Sequence, residues 1–184
     1  MRRNLKIFKD EKFNLKNTIS LVLLIMVVSG FFGFIYETFF YRIDLGYFVK
    51  RGSTFGPWIP IYAFGGALIT IFTYRFKKNP GLVFVINCMV TGILEYGTGY
   101  VLYEFFGKRL WDYNIEIWNW GNINGYICLR SILFFGVSSL FLIYIVIPML
   151  KKIMDKVSSR KMSIISITLG TLFALDMLIY AIIK

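Results

Sequence analysis

Apolar residues run along the chain in five long stretches, separated by short clusters rich in Lys, Arg, Asn and Gly. The stretches fall at about residues 18–40, 58–75, 81–106, 127–149 and 162–183, each near the roughly 20 residues that a helix needs to cross a bilayer core. A backbone in lipid must satisfy its own hydrogen bonds, so helices are the expected form. The predicted fold class is all-α, a polytopic membrane bundle of about five transmembrane helices, or six elements if one is a re-entrant or interfacial helix. The bundle is expected to be a single domain over 18–184. The preceding segment 1–17, "MRRNLKIFKDEKFNLKN", reads as a basic cytoplasmic tail or a helix on the membrane surface.

Composition agrees with lipid as the solvent. Of the 184 residues, 57% are hydrophobic and 19% aromatic, with a mean hydropathy of +0.64, more apolar than a soluble core of this size requires. The net charge of +11 does not point to nucleic acid, because the basic residues flank the apolar runs instead of lining one face. The first run is longer than a signal-peptide core and has no small-residue cleavage site after it, so it reads as a retained helix. Two cysteines, Cys88 and Cys128, give neither a disulfide framework nor a metal-ligand spacing. With no histidine a zinc site is not expected, and no cofactor is implied; Mg²⁺ bridging of carboxylates stays open through oxygen ligands alone.

Lys and Arg counts set the expected orientation. With the N-terminus cytoplasmic, the inner segments hold fourteen (Arg2 to Lys16, Arg75 to Lys78, and Lys151 to Lys161) and the outer segments six. The expectation is a multi-pass protein of the cell membrane with the long connections 41–57 and 107–126 outside.

Charges inside apolar runs are costly and mark candidate sites. Glu37, Glu95, Glu104, Arg130 and Asp176 are the five. At 1.5 Å per residue they fall in the same half of the bilayer whichever way the chain is inserted, which suggests one shared polar cavity. Glu104 has the alternative of pairing with Lys108 or Arg109. In the third run Gly92, Glu95, Gly99 and Tyr103 recur at helical spacing, so another backbone could approach the Glu95 face. The opposing reading is that Glu37, Glu95, Arg130 and Arg51 are buried ion pairs that fix helix packing.

Two connections carry the remaining chemistry. "RGSTFGPWIPIY" (51–62) offers Arg51 as a bidentate anion clamp, or else a rigid start to the second helix with Trp58 as an interfacial anchor. "RLWDYNIEIWNWGNINGYICLR" (109–130) gathers three tryptophans around Asp112, Glu116 and several asparagines. Trp118 and Trp120 suit an interfacial belt, whereas Trp111, Asp112, Tyr113, Asn122, Asn124 and Arg130 could cap an outer cavity. Tryptophan faces would hold an apolar or ring-like body, and the polar groups its head.

Taken with "ILEYGTGYVLYEFFGKRLWDYN" (93–114) and "NINGYICLR" (122–130), these stretches resemble the bacterial membrane family named putative ABC-transporter type IV. The likeness spans about 29–150. It rests on Arg51-Gly52, Gly56-Pro57, Pro60-Ile61-Tyr62, Glu95-Tyr96, Glu104, Trp111-Asp112-Tyr113, Asn122, Gly125 and Ile127-Cys128-Leu129, in that order, with Glu37 after "GFIY". Ala63 stands where the family has glycine, and one Trp, at 111, where it has two. The resemblance implies a transporter permease with Tyr96 and Glu104 among its site residues, and a separate ATPase partner, since this chain has no phosphate-binding G-x-x-x-x-G-K-[ST] loop. The short cytoplasmic connections offer such an ATPase little to grip.

Three functions therefore stay open. One is binding or moving a small polar or amphipathic ligand through a cavity open to the outer face. The second is a carboxylate-based intramembrane enzyme, a lipid-linked transferase or hydrolase with Glu95 or Asp112 as base. The third is a non-catalytic subunit of a membrane complex. Membrane lipid is the expected surrounding partner in all three.

Overall fold

The computed structural model describes residues 15–183, so the expected tail or surface helix at 1–17 lies almost wholly outside the described residues. Five helices carry the fold, and no strand occurs among the described residues. They are α1 (Leu15–Leu45), α2 (Pro60–Thr73), α3 (Pro80–Phe106), α4 (Leu129–Lys156) and α5 (Ser159–Ile183). All but α2 are long and apolar enough to cross a membrane.

The second expected span, 58–75, falls on α2, which is shorter than the other four helices. At 14 residues α2 is about 21 Å long, and a 3-10 turn at Tyr74–Phe76 continues it. Its start is set by proline: Pro57 and Pro60 push the residues before them into extended backbone, and Pro60 opens the helix where its missing N–H costs nothing. The peptide N–H of Ile59 donates to the Gly30 carbonyl at 3.0 Å, about halfway along α1. The chain at 46–59 is thus a non-helical re-entrant segment that descends beside the second half of α1 before α2 begins.

Glycines let these elements meet. A Cβ on Gly33 would fall 2.2 Å from the Tyr62 ring, and one on Gly66 2.2 Å from Ser29 Oγ, so α1 and α2 pack antiparallel at backbone distance. Ser20 meets Ser163 and Leu23 meets Gly170, which makes α5 parallel to α1. Asn79 caps α3 by accepting from Leu82 N–H at 3.1 Å. Along α3 and α4, Glu95 faces Ser131 and Cys88 faces Gly136, an antiparallel pair.

The expected boundary of the fourth span also moves. α4 runs on to Lys156 instead of stopping near 149, and only Val157 and Ser158 separate it from α5. Leu150 stays in the core while Lys152, Asp155 and Lys156 reach outward, so an amphipathic turn continues a helix that hydropathy alone would end. A π turn at Leu142–Val146 precedes Pro148, which has no N–H for the carbonyl four residues back.

The bundle has two unlike ends. At the turn end, with 74–79 and 157–158, Leu21, Ile25, Val83, Ile143, Ile147 and Met162 belong to one dry core. At the loop end, 46–59 and 107–128 fold over the second half of α1 and the start of α4. The charged residues collect there.

Candidate functional site

The loop 107–128 is built by its asparagines. Asn119 donates to the Tyr113 carbonyl at 2.9 Å, Asn122 accepts from Gly125 N–H at 2.9 Å, and Asn122 Nδ2 donates to Asn114 at 2.8 Å. Tyr113 N–H bonds the Gly125 carbonyl, and Leu129 N–H bonds that of Trp120. These bonds satisfy a backbone that belongs to no helix. Asp112 is part of the same frame: it pairs with Arg109 at 2.7 Å and accepts from Asn114 N–H at 2.9 Å. Burial works against its charge, yet the Asn114 N–H and Arg109 outweigh it and hold the carboxyl below its ordinary range.

This frame presses two side chains inward. Tyr113 and Glu116 are 8% and 7% exposed. Glu116 accepts from Tyr41 Oη and, at 2.8 Å, from Arg130 Nη2. Burial pushes the Glu116 carboxyl above its ordinary value despite those two donors. The Arg130 guanidinium lies over the Phe40 ring at 4.2 Å, and its Nε and Nη1 are buried with no hydrogen-bond acceptor. On the other flank Arg51 Nε donates to Glu37 at 3.0 Å, and the guanidinium covers the Tyr41 ring at 3.7 Å. The two ion pairs are joined through Tyr41.

Glu95 has no cation in bonding distance. Its carboxylate meets the Tyr113 hydroxyl and, at 2.8 Å, Ser131 Oγ, which also lies 2.8 Å from the Cys128 carbonyl. A hydroxyl has one hydrogen to give. The Ser131 hydrogen is therefore either shared between the two acceptors, or given to the Cys128 carbonyl while a protonated Glu95 donates to Ser131 Oγ.

Between these groups lies a polar cavity of about 30 Å³, lined by Glu37, Glu95, Trp111, Tyr113, Glu116 and Arg130 among others, room for a water or two. Four aromatic walls of it, Tyr36, Tyr62, Phe134 and Phe135, are shared with an apolar cleft of about 330 Å³ between α1, α2 and α4. Among the described residues no three acidic, Cys or His side chains converge to hold a metal ion, and Cys88 and Cys128 are free thiols.

The structure thus brings together Glu37, Arg51, Glu95, Trp111, Tyr113 and Arg130. Tyr96, Glu104, Asp112, Asn122 and Asn124 stand outside the cavity. Glu104 receives the Tyr126 hydroxyl at 2.5 Å instead of pairing with Lys108 or Arg109, and Tyr96 packs edge-on against the Tyr126 ring. Asn124 offers its carbonyl to Arg109 at the loop surface. Gly99, expected to let another backbone approach this face, meets Trp111 and Tyr126 of the loop. Asp176 is on a different side altogether: it accepts from Phe55 N–H, Gly56 N–H and Trp58 Nε1 at 2.9, 2.8 and 2.6 Å, satisfying the re-entrant backbone.

Glu116, Tyr36, Tyr41, Tyr62 and Ser131 are members that sequence reasoning missed. For Glu116 a signal exists: Arg130 inside an apolar run requires an acid, and Glu116, set between Ile115 and Ile117, is the apolar-flanked acid of the adjoining loop. No comparable signal marks Ser131.

Long apolar helices closed at one end by a folded loop and a buried charged cluster define a multi-pass membrane protein. The chain matches the family model described as Putative ABC-transporter type IV over residues 23–181, and it belongs to that family of transporter-related membrane proteins. The match runs beyond the expected 29–150 and takes in α5 with Asp176. No curated protein and no solved structure matches the chain.

Proposed function

We propose that the protein binds and moves an amphipathic ligand, seated with its apolar body in the cleft between α1, α2 and α4 and its polar head in the charged cluster. The observation that carries this is the wall of Tyr36, Tyr62, Phe134 and Phe135 common to the apolar cleft and the polar cavity, the pairing of a large apolar pocket with a few convergent polar groups that small-ligand sites share. Glu37 with Arg51 and Glu116 with Arg130 are internally neutral pairs. With Glu95 protonated, the cluster has no net charge, and its cavity of about 30 Å³ suits a small uncharged head of one or two oxygen atoms. That head supplies oxygen acceptors to Arg130 Nε and Nη1, which have none within the protein.

In this reading the N-terminus is cytoplasmic and the loop end faces outward, following the excess of Lys and Arg at the turn end. The proton on Glu95 couples to occupancy, and no ATPase is called on. The connections at 74–79 and 157–158 are too short to form a docking element for one.

Native mass spectrometry of gently extracted protein tests the reading. Wild type is expected to carry a bound amphipathic molecule. Ser138→Phe, which fills the cleft from α4, is expected to lose it, while Glu95→Gln binds it without dependence on pH. Wild type stripped of any ligand, or Ser138→Phe retaining the same one, would overturn the reading and favour a structural subunit.

A further inference from the structure

The apolar cleft opens to lipid between α1 and α4. The two helices meet at the turn end, where Leu21, Ile25, Ile143 and Ile147 share the dry core. Toward the loop end their backbones part, and aromatic rings span the gap: Phe32 meets Phe141 edge-on at 6.0 Å, and Tyr36 stacks on Phe134 at 3.7 Å. Of the side chains described along the cleft, only Phe32 and Phe141 are exposed, at 47% and 46%. Each stands about halfway along its helix, which puts this mouth near the middle of the bilayer.

The loop side gives an apolar body no comparable entry. There Ile117 N–H donates to Asp44, at the end of α1, at 3.0 Å, and Arg51 Nη2 donates to the Leu110 carbonyl at 3.3 Å. The two loops are thus fastened to each other and to α1. Beneath them lies only the polar cavity of about 30 Å³, and an alkyl chain passing through it would strip Glu37, Glu116 and Arg130 of their partners.

Size and chemistry narrow what the cleft can hold. It runs beside Val28 to Tyr36 of α1 and Phe134 to Val146 of α4, about 12 to 18 Å along the bundle. Its volume of about 330 Å³ is roughly twice that of an apolar cavity that holds one benzene, enough for on the order of a dozen carbon atoms. One alkyl chain fits that length and volume, and the two chains of a phospholipid do not. No charged side chain is among the described residues that line it. A charged head would be costly to bring to a mouth in the middle of the bilayer. A hydroxyl is not, and once in the polar cavity it can accept from the unpaired N–H groups of Arg130 and give its own hydrogen to a carboxyl oxygen.

We propose that the ligand is a single-chain alcohol that enters from the bilayer itself, between α1 and α4. Phe32 and Phe141 swing aside to admit the chain. The Tyr36 and Phe134 stack, which borders both the cleft and the polar cavity, parts to let the hydroxyl reach Arg130. No covalent bond is made or broken. The inference rests on the cleft and the cluster being the ligand site, and adds the ligand's class and its way in.

The probe is dodecanol carrying a diazirine in mid-chain, dissolved in phosphatidylcholine vesicles that hold the full chain. After illumination, peptide mapping is expected to find Phe135, Ser138 and Leu142 labelled inside the cleft. The same diazirine on a two-chain phosphatidylglycerol should mark Phe32 and Phe141 and leave Ser138 unmarked. Phe32→Cys with Phe141→Cys, bridged by a short reagent that forms a disulfide with each thiol, should lose the labelling inside and regain it on reduction; wild type treated alike controls for Cys88 and Cys128. Phe141→Ala, which widens the mouth, should speed the labelling and reads the same route should the double variant fail to fold. Labelling that survives the bridge, or an unchanged rate in Phe141→Ala, overturns lateral entry. Equal labelling of Ser138 by both probes, or none by dodecanol, overturns the single-chain class. Native mass spectrometry keeps these failures apart from that of the site: a bound molecule lost in Ser138→Phe spares the ligand site even when the probes sink the class or the route.

Discussion

Arg130, one residue into α4, and Glu116, from the middle of the preceding loop, meet at 2.8 Å with side chains only 12% and 4% exposed. The pair ties loop to helix where both would otherwise bury a lone charge. Removing one partner should therefore cost more than the pair itself contributes, about 3 kcal/mol for Glu116→Gln or Arg130→Gln. The double variant Glu116→Leu, Arg130→Met should recover most of that loss. Thermal melting of the detergent-solubilised protein checks it, and a double variant as unstable as the sum of the singles would contradict this account.

Gly125 is held at φ +76°, and a Cβ there would lie 2.4 Å from both Asp112 Oδ1 and Asn114 Nδ2. Gly125→Ala strains the backbone and breaks the frame that positions Tyr113 and Glu116. It should destabilise by more than about 1 kcal/mol and make 109–126 sensitive to protease, whereas Gly97→Ala, with open space around its Cβ, should do neither.

Long helices were legible because lipid imposes one rule on every residue of a span. The expected start of the third span, about 81, lies within a residue of the Pro80 that opens α3, whereas the end of α4 was not legible, because hydropathy reports where lipid stops rather than where a helix does. Charge depth placed Glu37, Glu95 and Arg130 at the level of the cluster, but depth carries no azimuth, and Asp176 at a similar level faces a different segment. Folding of the 107–128 loop was the largest unreadable step. Its asparagines looked like ligand groups and bond backbone instead, and Glu116, noted in the loop, was not counted with the buried charges because it lies between spans.

Asp112 gives the loop a pH dependence whose sign follows from its partners. Its carboxyl is held below the ordinary range by the Asn114 N–H and Arg109 against the opposing effect of burial. The contribution is thus fully present above the unfolded value of roughly 4 and is lost as pH falls through the lower folded value. Hydrogen exchange of the 109–126 amides should stay slow at mildly acidic pH and quicken in stronger acid. Asp112→Asn should show the faster exchange at neutral pH and a flatter profile. Identical profiles for the two proteins would show that the Arg109 pair contributes nothing to loop closure.

Asp176 satisfies two backbone N–H groups and one indole in the re-entrant segment, and Lys50 lies beside it over the Phe55 and Tyr180 rings. Hydrogen bonds to a charged acceptor contribute about 1.5–3 kcal/mol each, so Asp176→Ala should cost at least about 2 kcal/mol and free 50–58 from α5. The Glu37 and Arg51 pair depends on that segment's position, so the effect should travel from α5 to the cluster on the far side of α1. Trypsin should cut after Lys50 or Arg51 in Asp176→Ala while wild type resists, and Asp176→Asn, which keeps one acceptor, should fall between. Equal resistance in all three would mean that the glycine-lined contact of α1 with α2 alone holds the re-entrant segment in place.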